Sequence, residues 1–100
     1  MHSGQLDGLV DRLVRQVAHW DETRWAVGGG QRSAFHTLVQ RLADLGAVAE
    51  GQPSRPVPRL RATALPDQLR VVATDLILAD PDPAALAAAT AAVADLRTRI

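Results

Sequence analysis

The stretch Leu65 to Ala79, LPDQLRVVATDLILA, constrains the fold more than any other. Read as a helix, it places Leu69, Val72, Ala73 and Leu76 in one apolar stripe with Ile77 beside it, while Val71 and Leu78 fall on another side. A helix that is apolar nearly all round needs cover on several sides. The other helical segments can therefore be read as its wrapping. Asp75 interrupts the apolar surface, between Val71, Val72, Leu76 and Leu78. Burying an unpaired carboxylate is costly, so Asp75 and Arg70 are read as the narrow solvent face of this helix. A buried ion pair fixing helix register is the competing reading.

Three further segments supply the wrapping. Leu6, Leu9, Val10, Leu13, Val17 and Trp20 recur at three- and four-residue steps, with Val14 broadening the face, and predict a first helix over residues 4–20. Ser3 is a candidate cap, and Asp11 and Arg15 form an acid-first i,i+4 pair. Asp21 can start a separate short turn, and the spacing alone does not decide whether the first helix breaks there. Phe35, Leu38, Val39, Leu42, Leu45 and Ala49 predict a second long helix over residues 31–50, with Ser33 as a possible cap, Arg41 and Asp44 as an outer pair, and Gly51 as the stop signal. Gly46 inside it lowers helix propensity and allows a neighbour to come close. Asp82 followed by Pro83 is a start signal for a last helix over residues 83–99, whose Leu86, Ala89, Val93, Leu96 and Ile100 are spaced like a coiled-coil seam.

The connectors are as distinct as the helices. Gly28-Gly29-Gly30 holds no helix well and reads as a flexible joint over residues 28–30. Residues 52–61, QPSRPVPRLR, carry three prolines within six positions and cannot form a regular helix. They predict a strap along the bundle, with Val57 and Leu60 tucked in. Thr63 is a candidate cap for the apolar helix at 64–79, and Pro66 falls in its first turn, where a missing N–H is tolerated. The short Asp80-to-Asp82 link favours an antiparallel, adjacent last pair. The expected fold is all-α: one domain over residues 1–100, a small four-helix bundle or a three-helix core with a fourth helix packed on it, with a proline-rich connector.

Composition narrows function. At 100 residues and 47% apolar, the chain can bury one core without staples. It has no Cys, which removes disulfides, thiolate metal sites and a Cys nucleophile together. Eleven basic residues balance eleven acidic ones, and no basic stripe stands out, so nucleic acid is a disfavoured partner. All the basic side chains are Arg, and Lys, Asn and Tyr are absent, a bias that GC-rich coding explains. The start lacks the basic and apolar regions of a signal peptide, and no run reaches the ~20 apolar residues of a membrane span. A cytoplasmic bacterial protein without membrane contact is the natural expectation.

Candidate sites are few. Trp20, Arg24 and Trp25 precede the glycine joint, with Arg32 just beyond it, and Trp and Arg are the residues most enriched in binding hot spots. They are the candidate partner or ligand surface, against the preferred reading that the indoles close one end of the core. His19 and His36 lie on different helices with no HExxH motif or acidic cluster, so no metal or cofactor is expected. The glycine joint lacks the Lys and Ser/Thr of a phosphate loop, and Pro53-x-x-Pro56 is no more than any proline-rich connector offers. No catalytic constellation emerges. The expected function is a non-catalytic, regulatory or protein-interaction module that self-associates, as a dimer, or binds another helical protein, with Val71, Asp75 and Leu78 as the candidate self-association face. The alternatives are a small-ligand-binding bundle using Trp20, Arg24 and Trp25, and, further back, a DNA-binding regulator.

Overall fold

In the computed structural model, which describes residues 3–28 and 30–100, the chain forms α1 (Ser3–Val17), α2 (Glu22–Ala26), α3 (Gln31–Ala49), α4 (Leu65–Leu78) and α5 (Pro83–Arg99). A single 3-10 turn, Ala62–Ala64, leads into α4, and the described residues hold no strand. The fold is the expected all-α bundle, with the short α2 added. The side chain of Ser3, the candidate cap, and Gly29 of the joint lie outside the described residues.

The first helix stops at Val17, short of residue 20. Its last turn tightens as the Ala18 N–H donates to the Arg15 carbonyl (3.5 Å) and the Trp20 N–H to that of Val17 (3.0 Å). Asp21 then starts a new helix, its Oδ1 accepting from the Arg24 N–H at 2.8 Å. Asp82 caps α5 in the same way, accepting from the Ala85 N–H at 2.8 Å ahead of Pro83 in the first turn. Gly51 ends α3 at φ +69°, where the Gly51 N–H reaches the Val48 carbonyl (3.1 Å) and the Gln52 N–H that of Ala47 (2.8 Å), a complete Schellman closure. Two expected caps are corrected. Ser33 lies within α3, which starts at Gln31 after Gly30. Thr63 does not cap α4; its N–H instead donates to the Glu22 carboxylate at 2.7 Å, and the Ala62 N–H to the same group at 3.3 Å. A side chain on α2 thus satisfies the exposed donors ahead of α4.

Helix direction follows from the long-range contacts. Near the start of α3, Arg32 donates to the Leu60 carbonyl at 3.1 Å, and Arg32, His36, Leu60 and Leu65 line one small crevice. Towards the other end of α3, Gly46 faces the backbone of Leu76. Helices α3 and α4 therefore run parallel. Asp11 of α1 bonds Arg70 of α4 at 3.0 Å while Glu22, beyond the end of α1, holds the entry to α4, so α1 is antiparallel to α4. Gln16 of α1 donates to the Ile100 carbonyl at 3.0 Å, which places the ends of α1 and α5 together. Helix α4 packs on α3 and α1, and α5 on the same two. The last two helices share little direct contact, in contrast to the expected adjacent pair: the parallel α3–α4 pairing occupies the place beside α4 that α5 would take.

One core joins all five helices. Leu6, Leu13, Phe35, Leu42, Leu69, Leu76 and Leu96 are among its fully enclosed side chains. The strap lies over α3 and α4. Gln40 grips it with both ends of its amide, Oε1 accepting from the Val57 N–H (2.7 Å) and Nε2 donating to the Arg55 carbonyl (3.0 Å). Gln68 of α4 donates to the Pro58 carbonyl at 2.9 Å. Val57 is half-buried against the core, but Leu60 is 53% exposed and is not tucked in. The expected Arg41–Asp44 pair is also absent among the described contacts, because Asp44 accepts from Gln40 Nε2 at 2.9 Å. The i,i+4 pairs Asp11–Arg15 and Asp95–Arg99 both form, at 3.1 Å.

Two substitutions test this packing. A methyl on Gly46 would stand 3.6 Å from Leu76 Cα, an ordinary contact, so Gly46→Ala should recover helix propensity and raise unfolding free energy by about 0.5–1 kcal/mol in a urea titration. Gly46→Leu should instead lower it, since the α3–α4 spacing has no room for a longer chain. Gln40→Ala should cost about 1–2 kcal/mol by removing the strap's paired hydrogen bonds, with helical circular dichroism retained.

Candidate functional site

The two tryptophans are core residues. Trp20 is 8% exposed and Trp25 2%, because the break at Val17 folds α2 back against α3. Their rings meet edge to face at a centroid distance of 4.8 Å, and Trp25 meets Phe35 in the same way at 5.3 Å. Each such pair contributes about 0.5–1.5 kcal/mol beyond the area buried. Arg24 stacks its guanidinium 3.9 Å over the Trp20 ring and shields that edge from water. Trp25 Nε1 is buried with no hydrogen-bond partner among the described residues, so the ring is held by packing alone. Arg32 is not beside them in function: it ties the end of the strap through the Leu60 carbonyl. Of the four candidate residues in this region, the structure leaves Arg24 and Arg32 exposed and places both indoles inside.

The second candidate set lies on the surface together. Val71 is 59% exposed and Leu78 78%, and Asp75 between them is also exposed. Asp75 has no hydrogen bond or ion pair from its carboxylate among the described contacts. Arg70 turns away to Asp11 at 3.0 Å. Helix α4 therefore buries Leu65, Leu69, Ala73 and Leu76 and leaves an outward ridge of Val71, Thr74, Asp75 and Leu78.

Beside this ridge runs an open apolar groove between the strap and α4. Pro56, Val57, Pro58 and Leu60 form one wall, and Ala64, Val71 and Val72 the other, with Arg55 and Asp67 at its margin. Arg55 also borders the adjoining depression with Val72 and Asp75, so Arg55 and Asp75 stand at one level of the molecule. The proline spacing identified the strap, but no local signal showed that it would form a groove with α4. That required the parallel helix pair.

A third place has distinctive electrostatics. His36 is 9% exposed on α3, in the trough that α3 forms with Pro56, Val57, Pro58 and Arg59 of the strap. Burial, and after it the nearby Arg59 charge, push the imidazole pKa below its ordinary value of 6.5. Glu22 moves in the usual carboxylate direction: the Thr63 N–H, and less strongly that of Ala62, hold its pKa below 4.5 against a smaller opposing effect of desolvation. Among the described residues, no three His, Asp or Glu side chains gather closely enough to hold a metal ion. No described helix is long and apolar enough to cross a membrane. No protein-family model matches the chain, and no curated protein or solved structure was matched to it.

The His36 environment gives a pH dependence with a defined sign. Because the folded state prefers the neutral ring, its contribution is present above about pH 6.5 and is lost as pH falls through the lower folded-state pKa. Urea midpoints should decline on acidification from neutrality, and His36→Gln should flatten that slope. The Glu22 contribution, present above about pH 4.5, is lost only at still lower pH, so the two are separable in one titration series.

Proposed function

We propose that this chain is a non-catalytic helical interaction module that self-associates through the outer ridge of α4. The observation that carries this reading is the exposure of Val71 and Leu78 on the helix that otherwise anchors the core. Solvent exposure of one large apolar residue is ordinary. Two on one ridge, continuous with an apolar groove, form a patch of the kind that marks an interaction site. The enclosed indoles give the small-ligand reading no comparable support, since the described walls of this groove and of the strap–α3 trough do not include Trp20, Arg24 or Trp25. The same ridge and groove suit a helix of another protein as an alternative partner.

The test is a concentration series by light scattering or sedimentation. The wild-type chain should gain mass with concentration. Leu78→Glu should shift the dissociation constant upward by about tenfold or more, while its melting curve stays close to wild type because the side chain is 78% exposed. A strictly monomeric wild-type chain throughout the series overturns self-association.

A further inference from the structure

We infer that a second copy covers the strap–α4 groove, strap over α4 and α4 over strap, in a two-fold dimer whose axis runs along the groove. This inference rests on the self-association reading and specifies its geometry. In a two-fold interface, one patch must complement itself. The patch has that character. Its centre is apolar, with Val57, Leu60, Val71 and Val72 on its walls. Its strap side carries Arg55, and its α4 side carries Asp67 at the margin, with Asp75 in the depression that adjoins at Arg55 and Val72. None of these three charged side chains makes a hydrogen bond or ion pair among the described contacts.

The charges select the orientation of the axis. With the axis along the groove, the strap of one copy lies over α4 of the other at the same level. Arg55 then faces Asp75 of the second copy. The levels agree, because Arg55 and Asp75 border one depression at the same height of the molecule. With the axis across the groove and centred on Val71, the two α4 helices would pack antiparallel. Asp67 would then meet Asp75, so like charges would oppose one another at the α4 margin. The first arrangement also covers Leu60 and Val71.

Arg55→Glu and Asp75→Arg test the assignment. Both positions are exposed, and circular dichroism and melting curves confirm that each variant folds. Alone, each variant places like charges at both symmetry-related contacts and should dimerise at least about tenfold more weakly than wild type. Mixed together, the two variants form two opposite-charge contacts in a heterodimer, so mass should be regained in the mixture that neither variant shows alone. A wild-type dimer that both variants leave unchanged, or variants that weaken it without recovery on mixing, overturns this geometry and leaves the self-association reading standing. A wild-type chain that stays monomeric overturns both.

Discussion

Two parallel helices that follow one another in sequence need a connection as long as the helix itself, and this requirement shapes the whole molecule. Helix α3 has 19 residues, a rise of ~28 Å. Residues 52–61, in extended polyproline-like geometry, span ~31 Å. The strap is therefore long enough to return the chain from the end of α3 to its start, where the 3-10 turn and α4 begin. Prolines at 53, 56 and 58 keep the segment extended and remove N–H groups that would otherwise need partners. Side chains meet four of its backbone groups: Gln40 the Val57 N–H and the Arg55 carbonyl, Gln68 the Pro58 carbonyl and Arg32 the Leu60 carbonyl. No strand is needed to order the strap.

The same crossover explains why α4 is central and still incompletely covered. Gly46 allows α3 to approach the backbone of Leu76, which brings the parallel pair close. Helix α1 takes a second side of α4 and is fastened by the Asp11–Arg70 pair. That pair is partly exposed and contributes little to stability, so apolar contact through Leu6, Val10, Leu13 and Leu69 is the larger effect. The strap is a single extended chain with one half-buried side chain, Val57, against the core. It covers a third side thinly. The fourth side, Val71 to Leu78, has nothing over it.

Features set by neighbouring residues were legible in the sequence. The apolar spacing placed the buried faces of α1, α3 and α5, and Asp82-Pro83, Gly51 and the two i,i+4 pairs marked what they were expected to mark. Features set by remote residues were not. Glu22 caps the entry to α4 from 41 positions away, and no local pattern could select it over Thr63. Trp20 and Trp25 carry the same residue types in a core as in a binding surface, and the break at Val17 decides between them. Leu60 and Val57 look alike on an extended segment, and the grip of Gln40 on the Val57 N–H decides which of them is held against the core. Val71, Asp75 and Leu78 could be singled out because α4 has more apolar surface than its neighbours can meet. Arg55 could not, since its place beside Asp75 exists only after the strap has doubled back.

Neutral overall charge conceals a segregated distribution. Residues 31–61 hold five Arg against Asp44 and Glu50, whereas residues 62–100 hold five Asp against three Arg. The doubled-back strap sets Arg55 of the first group and Asp67 of the second at the margins of one apolar groove, with Asp75 in the adjoining depression, yet Arg55 and Asp75 do not close on each other. Two unpaired opposite charges flanking one groove cost little while water solvates them separately. They become informative when the groove is covered, because desolvation then penalises every arrangement that leaves them unpaired or opposes like charges. The apolar walls can supply attraction without orientation, and the charges can supply orientation with little attraction. A patch that combines the two in this order, on the least covered side of the central helix, is what supports the proposed self-association in one register.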